Sequence, residues 1–246
     1  WEILDAFAAA AQAAGIPATD DFNTGTNEGV GYFQVNQRAG WRWNTAKAYL
    51  RPAPKGLSVL THSPTRRVAF EGERAVGVVV FRDGAEHLVR ARAEVILSAG
   101  SIGTPTILQH SGIGPGEVLR AQGVEVRREV PGIGANLQDH LQIRCAFRVS
   151  GVPTLNVRAG SVTGKLGIAL EYALKRAGPM SMAPSQLGAF ARSRPDVATP
   201  DLQYHVQPLS LEAFGGDLHP FPAFTASVCN LRPESRRRSQ QPIEFG

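Results

Sequence analysis

The chain has 246 residues, 43% of them hydrophobic, so it is long enough for one large or two small folded domains and is not disordered by composition. Four arginines and one glutamate in residues 232–238 supply +3 of the formal net charge of +5. The other charges are mixed in sign and lack interleaved aromatic side chains, which argues against nucleic-acid binding.

The cysteines and the hydropathy pattern bear on the cellular compartment. Cys145 and Cys229 lack metal-site spacing and cannot form a disulfide framework, so we expect free buried thiols in a reducing compartment and no metal site. No apolar run approaches the roughly 20 residues of a membrane span, and no signal-peptide pattern follows Trp1. These patterns predict a cytoplasmic protein without a membrane span.

The first quarter of the chain predicts helices joined by a long loop. Alanine-rich residues 1–14 have apolar positions at helical spacing, followed by a glycine and a proline that end the helix. Residues 19–31 have a loop composition, residues 32–36 could form a strand, and residues 45–50 predict a short helix.

A change to strand periodicity follows. We predict four strands with tight turns between the last three, which together form an antiparallel meander: residues 57–61, 67–70, 75–81 and 86–91. The apolar run at residues 95–97 predicts a strand buried on both faces, ending near Gly100, where a sharp turn and a close ligand would need a residue without a Cβ.

The remaining elements alternate between helix and strand. Helices are predicted at residues 105–111, 116–122 and 165–176. Strands are predicted at residues 124–130, 141–150, 186–191, 202–207 and 225–231, and the last three suggest pieces of one mixed sheet.

Three motifs resemble those of one flavoprotein family. Residues 99–114 resemble the second signature of the GMC (glucose-methanol-choline) oxidoreductases, and residues 130–140 resemble Leu-Pro-Gly-Val-Gly-x-Asn-Leu-Gln-Asp-His. Residues 40–50 resemble Gly-x-Arg-x-Ser-Thr-Ala-x-Ala-Tyr-Leu, with Asn44 in place of the serine. The resemblance extends to Arg236 and is closest to choline dehydrogenase-like members.

The resemblance implies a mixed α/β fold and a division of the chain. Residues 57–140 would form part of a two-dinucleotide-binding FAD domain with a β-meander. Residues 141–236 would form part of a mixed-sheet substrate domain, to which the helix and loops of residues 1–56 also belong as a cap. Residues 237–246 would be a divergent tail. FAD is the implied cofactor and a small alcohol the implied substrate.

The sequence lacks both ends of the family's machinery. It has no Gly-x-Gly-x-x-Gly between a strand and a helix to hold the FAD pyrophosphate, and none of its six histidines falls in the family's C-terminal catalytic motif. We therefore expect an internal fragment, and no residue is predicted to be catalytic. The alternative is an inactive truncated remnant that folds and self-associates or binds a partner, because exposed apolar surface and sheet edges drive association.

The resemblance also implies residues near the cofactor. Thr65 matches the position whose backbone meets the adenine, and Ala99 and Gly100 would line the adenosine ribose. Residues Asn136, Gln138 and His140 have two interpretations, contact with the cofactor or a structural role in tying down a loop, of which the structural one is preferred.

Three residues are candidates for the substrate side. Gln186 matches the glutamate that faces the quaternary ammonium group in choline-specific relatives, and the amide removes that charge. Period-2 geometry on the strand of residues 202–207 puts His205 and Gln207 on one face and Tyr204 on the other. Since a trimethylammonium group is held by carboxylate and aromatic groups, Gln186 favours a neutral primary alcohol over choline.

Overall fold

The computed structural model describes residues 1–53, 55–213 and 215–237. Residues 238–246, most of the predicted divergent tail, lie outside the described residues. The chain divides into two compact units, which we call the sheet unit (residues 1–53 and 140–233) and the meander unit (residues 55–139 and 234–237). Both contain helices and strands, and the predicted mixed α/β class is confirmed.

The helices and strands have the following bounds. The α-helices are α1 (Glu2–Ala13), α2 (Gly100–His110), α3 (Gly116–Ala121), α4 (Leu155–Ala159) and α5 (Val162–Lys175), with a π-helical turn at Ala46–Leu50 and a 3-10 turn at Pro179–Ser181. The strands are β1 (Gly29–Tyr32), β2 (Gln37–Arg38), β3 (Trp41–Arg42), β4 (Thr65–Glu71), β5 (Arg74–Arg82), β6 (Ala85–Arg90), β7 (Ile113–Gly114), β8 (Arg128–Glu129), β9 (Gln142–Arg148), β10 (Leu187–Ala191), β11 (Leu202–Gln207) and β12 (Ala223–Asn230).

The sheet unit is built on a five-stranded sheet in the order β1-β10-β11-β12-β9. All four pairings between its described strands are antiparallel, where a mixed sheet was expected. The reason is the connectivity. Strands β10, β11 and β12 follow each other through loops without a crossover helix, and a parallel pair would need such a crossover.

Helix α1 covers one face of this sheet. Leu4 and Ala11 on the helix are buried against Val30, Leu187 and Val206 of three different strands. The two helix residues are seven apart, so they lie on one side of the helix two turns from each other. This packing fixes which face of the sheet is apolar and leaves the other face for polar side chains.

The meander unit consists of the antiparallel sheet β4-β5-β6 and the helices that follow it. Helix α2 packs on β4, and Val68, Val79 and Ile107 are buried there. The Ser111 hydroxyl donates to the carbonyl oxygen of Ile107 (2.6 Å) and accepts from the backbone N–H of Val68 (2.8 Å). It therefore ties the end of the helix to the strand beneath it.

Two predicted strands are wrong. Residues 95–97 are not a buried strand, because no described strand pairs with them and Ile96 is 77% exposed. Residues 57–61 are likewise unpaired, and Leu57, Val59 and Leu60 are each about half exposed. An apolar run becomes a strand only where a neighbouring strand satisfies its backbone hydrogen bonds, and the described part of the chain offers none at these positions.

Other predictions were displaced or incomplete. A strand was expected at residues 32–36, but the observed strand β1 lies earlier and ends at Tyr32. Of the strand expected at residues 124–130, only the two residues of β8 form a strand. The hairpin β2–β3 and helix α4 were not predicted. Both cysteines are free, but only Cys229 is buried. Cys145 is exposed, because it lies on the edge strand β9.

Candidate functional site

The register of the five-stranded sheet brings three predicted substrate-side residues to one face. His205 lies directly opposite Gly188, and side chains two apart on a strand share a face. Gln186, two residues before Gly188, therefore lies on the same face as His205 and Gln207. Tyr204 lies on the opposite face and packs against the core beneath α1. We call the first face the polar face.

The polar face presents mainly neutral hydrogen-bonding groups. Gln207 pairs with Thr225 and His205 with Ser227, and the Gln207 side-chain amide donates to the Ser185 hydroxyl (2.9 Å). Gln186 and Gln207 are both buried. The Ser227 hydroxyl is buried and has no hydrogen-bond partner among the described residues. Such groups favour a ligand with hydroxyl or carbonyl groups.

The charge of the polar face does not favour a cation. In the strand register, Ser227 lies between His205 on β11 and Arg144 on β9, so a guanidinium group belongs to the same row of side chains. Gln186 contributes an amide where a carboxylate would attract a cation. An amide attracts a cation less strongly than a carboxylate does, so position 186 offers a cationic ligand no full opposite charge.

Aromatic side chains cover one end of the polar face. The Phe33 ring stands above Gly188, with its centroid 5.8 Å from that of His205 and 5.5 Å from that of Phe22. The Phe22 ring in turn lies 5.1 Å from that of Phe190. A Cβ at position 188 would come within 2.0 Å of the tip of the Phe33 ring, so the strand needs a glycine there for the ring to keep this position.

The imidazole of His205 is half-buried beneath these rings. Burial lowers the pKa of His205, and electrostatic interaction with the nearby His140 lowers it further. The folded protein therefore holds this imidazole neutral at a pH at which an exposed histidine is already protonated. In that state it can donate one hydrogen bond and accept another.

This shift predicts a loss of stability in mild acid. The unfolded chain takes up a proton near the ordinary histidine pKa of about 6.5 whereas the folded chain resists it. The free energy of unfolding should thus fall as the pH drops from about 7.5 to about 5.5. Urea denaturation at the two pH values measures the fall, and His205→Gln should make it smaller.

The control is His62→Asn, which replaces an exposed histidine of the other unit at a backbone conformation that asparagine tolerates (φ 53°). It should keep the wild-type pH dependence. An equal fall in the wild type and in His205→Gln would contradict the assignment to His205.

The predicted cofactor-side residues lie in the meander unit. Thr65 is the first residue of β4, and Ala99 and Gly100 begin helix α2. A cleft of about 390 Å³ lies between α2 and the loop of residues 132–138, beginning at Ser101, the residue after Gly100. Ser101, Asn136 and Gln138 supply its polar lining, and Pro105 and Leu108 are among its apolar residues. His140 is exposed and belongs to the sheet unit.

Comparison with known proteins decides the family. The model of the GMC oxidoreductase family matches residues 2–142, more than half of the chain. The chain belongs to the GMC oxidoreductase family. It is 37% identical over 238 residues to an oxygen-dependent choline dehydrogenase of Photobacterium profundum, covering 96% of this chain and 42% of that protein. A protein of the same description from Paraburkholderia phymatum is 38% identical over 244 residues, with 96% and 42% covered.

Two solved structures share the fold. A pyridoxine 4-oxidase from Mesorbium loti superposes with a TM-score of 0.76 at 26% identity, covering 96% of this chain and 43% of that one. An FAD-dependent oxidoreductase from Chaetomium thermophilum gives a TM-score of 0.81 at 21% identity, with 98% and 49% covered. The chain therefore spans about two fifths of the length of the curated relatives it matches.

FAD is the cofactor of the GMC family. The groups in the meander unit suit only part of the FAD molecule. A Cβ built on Gly100 meets no atom within 4 Å, so the start of α2 faces open space that a ligand could fill. The adjoining cleft offers hydroxyl and amide groups without charge. These groups suit ribose or base edges, but a pyrophosphate needs a glycine-rich turn at a helix start, and the sequence has none.

Sequence reasoning missed two clusters in the sheet unit. One joins Asn156, Ser210 and His219, and no local pattern could have found it because 54 and 63 residues separate the partners. In the other cluster, basic side chains lie over the rings of Trp41 and Trp43. Aromatic and basic residues alternate in residues 38–47, so the sequence contains this signal, and the prediction of no interleaved aromatic side chains is wrong.

Within the described residues, no helix has the length and apolar character needed to cross a membrane. In the same part of the chain, no group of three or more His, Cys, Asp or Glu side chains is arranged to hold a metal ion.

Proposed function

We propose that this chain is a segment of an FAD-dependent oxidoreductase that oxidises a neutral primary alcohol. The observation that carries this proposal is the polar face, on which the uncharged side chains of Gln186 and Gln207 lie together with His205. When bound, FAD supplies the acceptor for a hydride from the alcohol carbon. The neutral amides and the imidazole of the polar face bind the alcohol and orient its hydroxyl group.

The proposal also assigns each part of the chain to a domain of the oxidoreductase. Residues 57–140 would contribute to the FAD-binding domain, with Thr65, Ala99 and Gly100 beside the adenosine half of the cofactor. Residues 1–56 and 141–236 would contribute to the substrate domain. The small-alcohol substrate and a cytoplasmic location, as expected from the sequence, belong to the proposal as well.

The isolated chain is expected to purify without flavin. The cleft beside α2 offers neutral groups for part of FAD, while the sequence lacks the glycine-rich turn that holds the pyrophosphate. Absorbance of the purified protein in the flavin region measures bound cofactor directly. A yellow preparation with flavin near one equivalent per chain would contradict this expectation.

The substrate preference is tested by Gln186→Glu. In an enzyme completed with the flanking segments of a full-length GMC relative, the wild-type segment should give a higher kcat/KM for neutral primary alcohols than for choline. The new carboxylate should shift the kcat/KM ratio toward choline by about five-fold if the ion pair is worth about 1 kcal/mol, and by more if it is well buried.

A matched control exists on the same face. Gln203→Glu adds the same charge to the polar face at the other end of β11, opposite Phe190, and should leave the preference nearly unchanged. If the completed enzyme already prefers choline with Gln186 in place, the neutral-alcohol proposal fails. Another carboxylate, such as Glu212 or Asp217, would then have to bind the cation.

A second candidate is a catalytically inactive remnant that folds and self-associates or binds a partner. Exposed apolar side chains favour it, notably Ile96 (77% exposed), which the sequence predicted to be buried, and Leu141 (73% exposed). The completed enzyme separates the two candidates. Turnover of any primary alcohol by the completed enzyme supports the oxidoreductase, whereas a folded, flavin-loaded and inactive protein supports the remnant.

A further inference from the structure

The Phe33 ring is the part of the aromatic cover that reaches the imidazole of His205. Its centroid lies 5.8 Å from that of the imidazole, and the two ring planes are tilted by 40°. Phe22 contacts Phe33 and Phe190 but makes no ring contact with His205 among the described residues. Phe33 is therefore the aromatic residue next to the group that would bind an alcohol.

Two features of the backbone hold the Phe33 ring in this position. Its N–H donates to the carbonyl oxygen of Gln186 (2.8 Å), just beyond the last residue pair of β1 and β10. The tip of the ring lies over Gly188, at the place that a side chain of that strand would fill. The fold therefore fixes the ring beside the predicted substrate-side residues.

The ring shares the polar face with the hydrogen-bonding groups. Gly188 lies directly opposite His205, so a side chain at position 188 would belong to the polar face, and the Phe33 ring occupies that place. Phe33 is partly exposed, as is His205. The polar face thus offers an accessible imidazole with an accessible aromatic surface next to it.

This combination can discriminate among alcohols by the group attached to the reacting carbon. The hydroxyl of an alcohol can hydrogen-bond to the neutral imidazole, which has one donor and one acceptor. The group on the same carbon then lies close to the Phe33 ring. Aromatic rings attract each other in offset or tilted arrangements at centroid distances of about 4.5–7 Å, and the ring contacts already present on this face have such distances.

We propose that Phe33 is a specificity-determining residue that selects primary alcohols with a flat aromatic group on the reacting carbon. The hydroxyl binds at His205, and the aromatic group packs on the exposed part of the Phe33 ring. This inference rests on the proposed oxidoreductase function, and it narrows the neutral primary alcohols of that proposal to one class.

Other neutral alcohols suit this place less well. A polyol would bring further hydroxyl groups against the ring, where they lose hydrogen bonds to water without finding a partner. A flexible aliphatic chain could pack on the ring, but ordering the chain costs rotamer entropy, and the chain lacks the quadrupole of a second ring. A flat aromatic group incurs neither cost.

Two substrates of similar size test the proposal in the enzyme completed with flanking segments. Benzyl alcohol is flat, whereas cyclohexylmethanol has the same number of carbon atoms and no aromatic ring. Since benzylic alcohols are intrinsically easier to oxidise, the ratio of the two kcat/KM values is compared between the wild type and a variant. Phe33→Leu keeps an apolar side chain without the ring and should lower this ratio by about three- to ten-fold.

A matched control lies on the opposite face of the same sheet. Phe147 stacks on Phe224, which contacts Phe7 of α1, so Phe147 lies on the face that this helix covers. Phe147→Leu makes the same chemical change there and should leave the ratio at the wild-type value. Circular dichroism verifies that both variants are folded.

The environment of His205 gives a readout that needs no turnover. Burial is the main cause of the lowered pKa of His205, and the interaction with His140 adds to it. Phe33→Ala leaves the imidazole more exposed, so an NMR titration of the isolated chain should give a higher pKa for His205 in this variant than in the wild type. Phe147→Leu should not change the pKa of His205.

The outcomes separate this inference from the function on which it rests. If the completed enzyme oxidises no primary alcohol, the proposed function fails, and this inference fails with it. If the enzyme is active but Phe33→Leu keeps the wild-type ratio, or Phe147→Leu lowers the ratio equally, only the role of Phe33 is wrong. An unchanged pKa of His205 in Phe33→Ala would contradict the position of the ring and would also overturn the inference.

Discussion

Gly188→Val is expected to destabilise the protein by about 3 kcal/mol, one of the two largest single-residue effects that the structure predicts. Position 188 lies on a central strand, and even a Cβ there would approach the Phe33 ring to 2.0 Å. The ring cannot easily move, because it is packed against both Phe22 and His205. Urea denaturation monitored by circular dichroism measures the loss.

A second change tests the cause. Phe33→Ala removes the clashing ring, so the valine should cost clearly less in the Phe33→Ala background than in the wild type. Gly167→Ala is the matched control: a Cβ at this helix position of α5 meets no atom within 4 Å, and alanine should stabilise the protein by about 0.5–1 kcal/mol. If Gly188→Val unfolds at the wild-type urea concentration, the placement of Phe33 is wrong.

Asn156→Ala is the second change with a large expected effect, again about 3 kcal/mol of lost stability. The buried Asn156 side chain donates to the carbonyl oxygens of Ser210 and His219 (2.9 Å each) and accepts from the backbone N–H of Ser210 (2.9 Å). Alanine would leave the Ser210 N–H and the His219 carbonyl oxygen without this partner, while the Ser210 carbonyl oxygen would keep only the backbone N–H of His219 (3.0 Å). Urea denaturation provides the measurement here as well.

The contribution of shape can be separated from that of hydrogen bonding. Asn156→Asp keeps the size of the side chain and the acceptor for Ser210, but an aspartate cannot donate to the two carbonyl oxygens and brings a charge into a buried site. It should therefore be at least as destabilising as alanine. Asn36→Ala, at an exposed asparagine of the same unit, should change stability by less than about 0.5 kcal/mol. A tolerated Asn156→Asp would contradict the hydrogen-bond explanation.

The candidate site was only partly predictable. The alternation along β11 placed His205 and Gln207 together, because side-chain direction within one strand follows from the backbone alone. It could not place Gln186, which lies on a neighbouring strand. That residue joins the polar face only through the register of Gly188 opposite His205. Its proposed role came from a family resemblance and stays a prediction.

The sequence by itself determined the elements that local chemistry controls. Helices α1 and α5 and the strands β4 to β6 were predicted near their observed positions. The turn at Asp83 and Gly84 has positive φ at both residues (51° and 80°), as its composition predicted. The family motifs are equally local, since each is a short run of consecutive residues.

Only the tertiary structure decided which segments find partners. Residues 95–97 have the composition of a buried strand but remain unpaired among the described residues, while Asn156 becomes buried through contacts with residues 54 and 63 positions away. Helix α5 is a further case, since Leu166, Leu170 and Leu174 are exposed although folded proteins usually bury leucine. Burial and pairing depend on what the rest of the chain brings alongside a segment, and a local pattern contains no information about that neighbour.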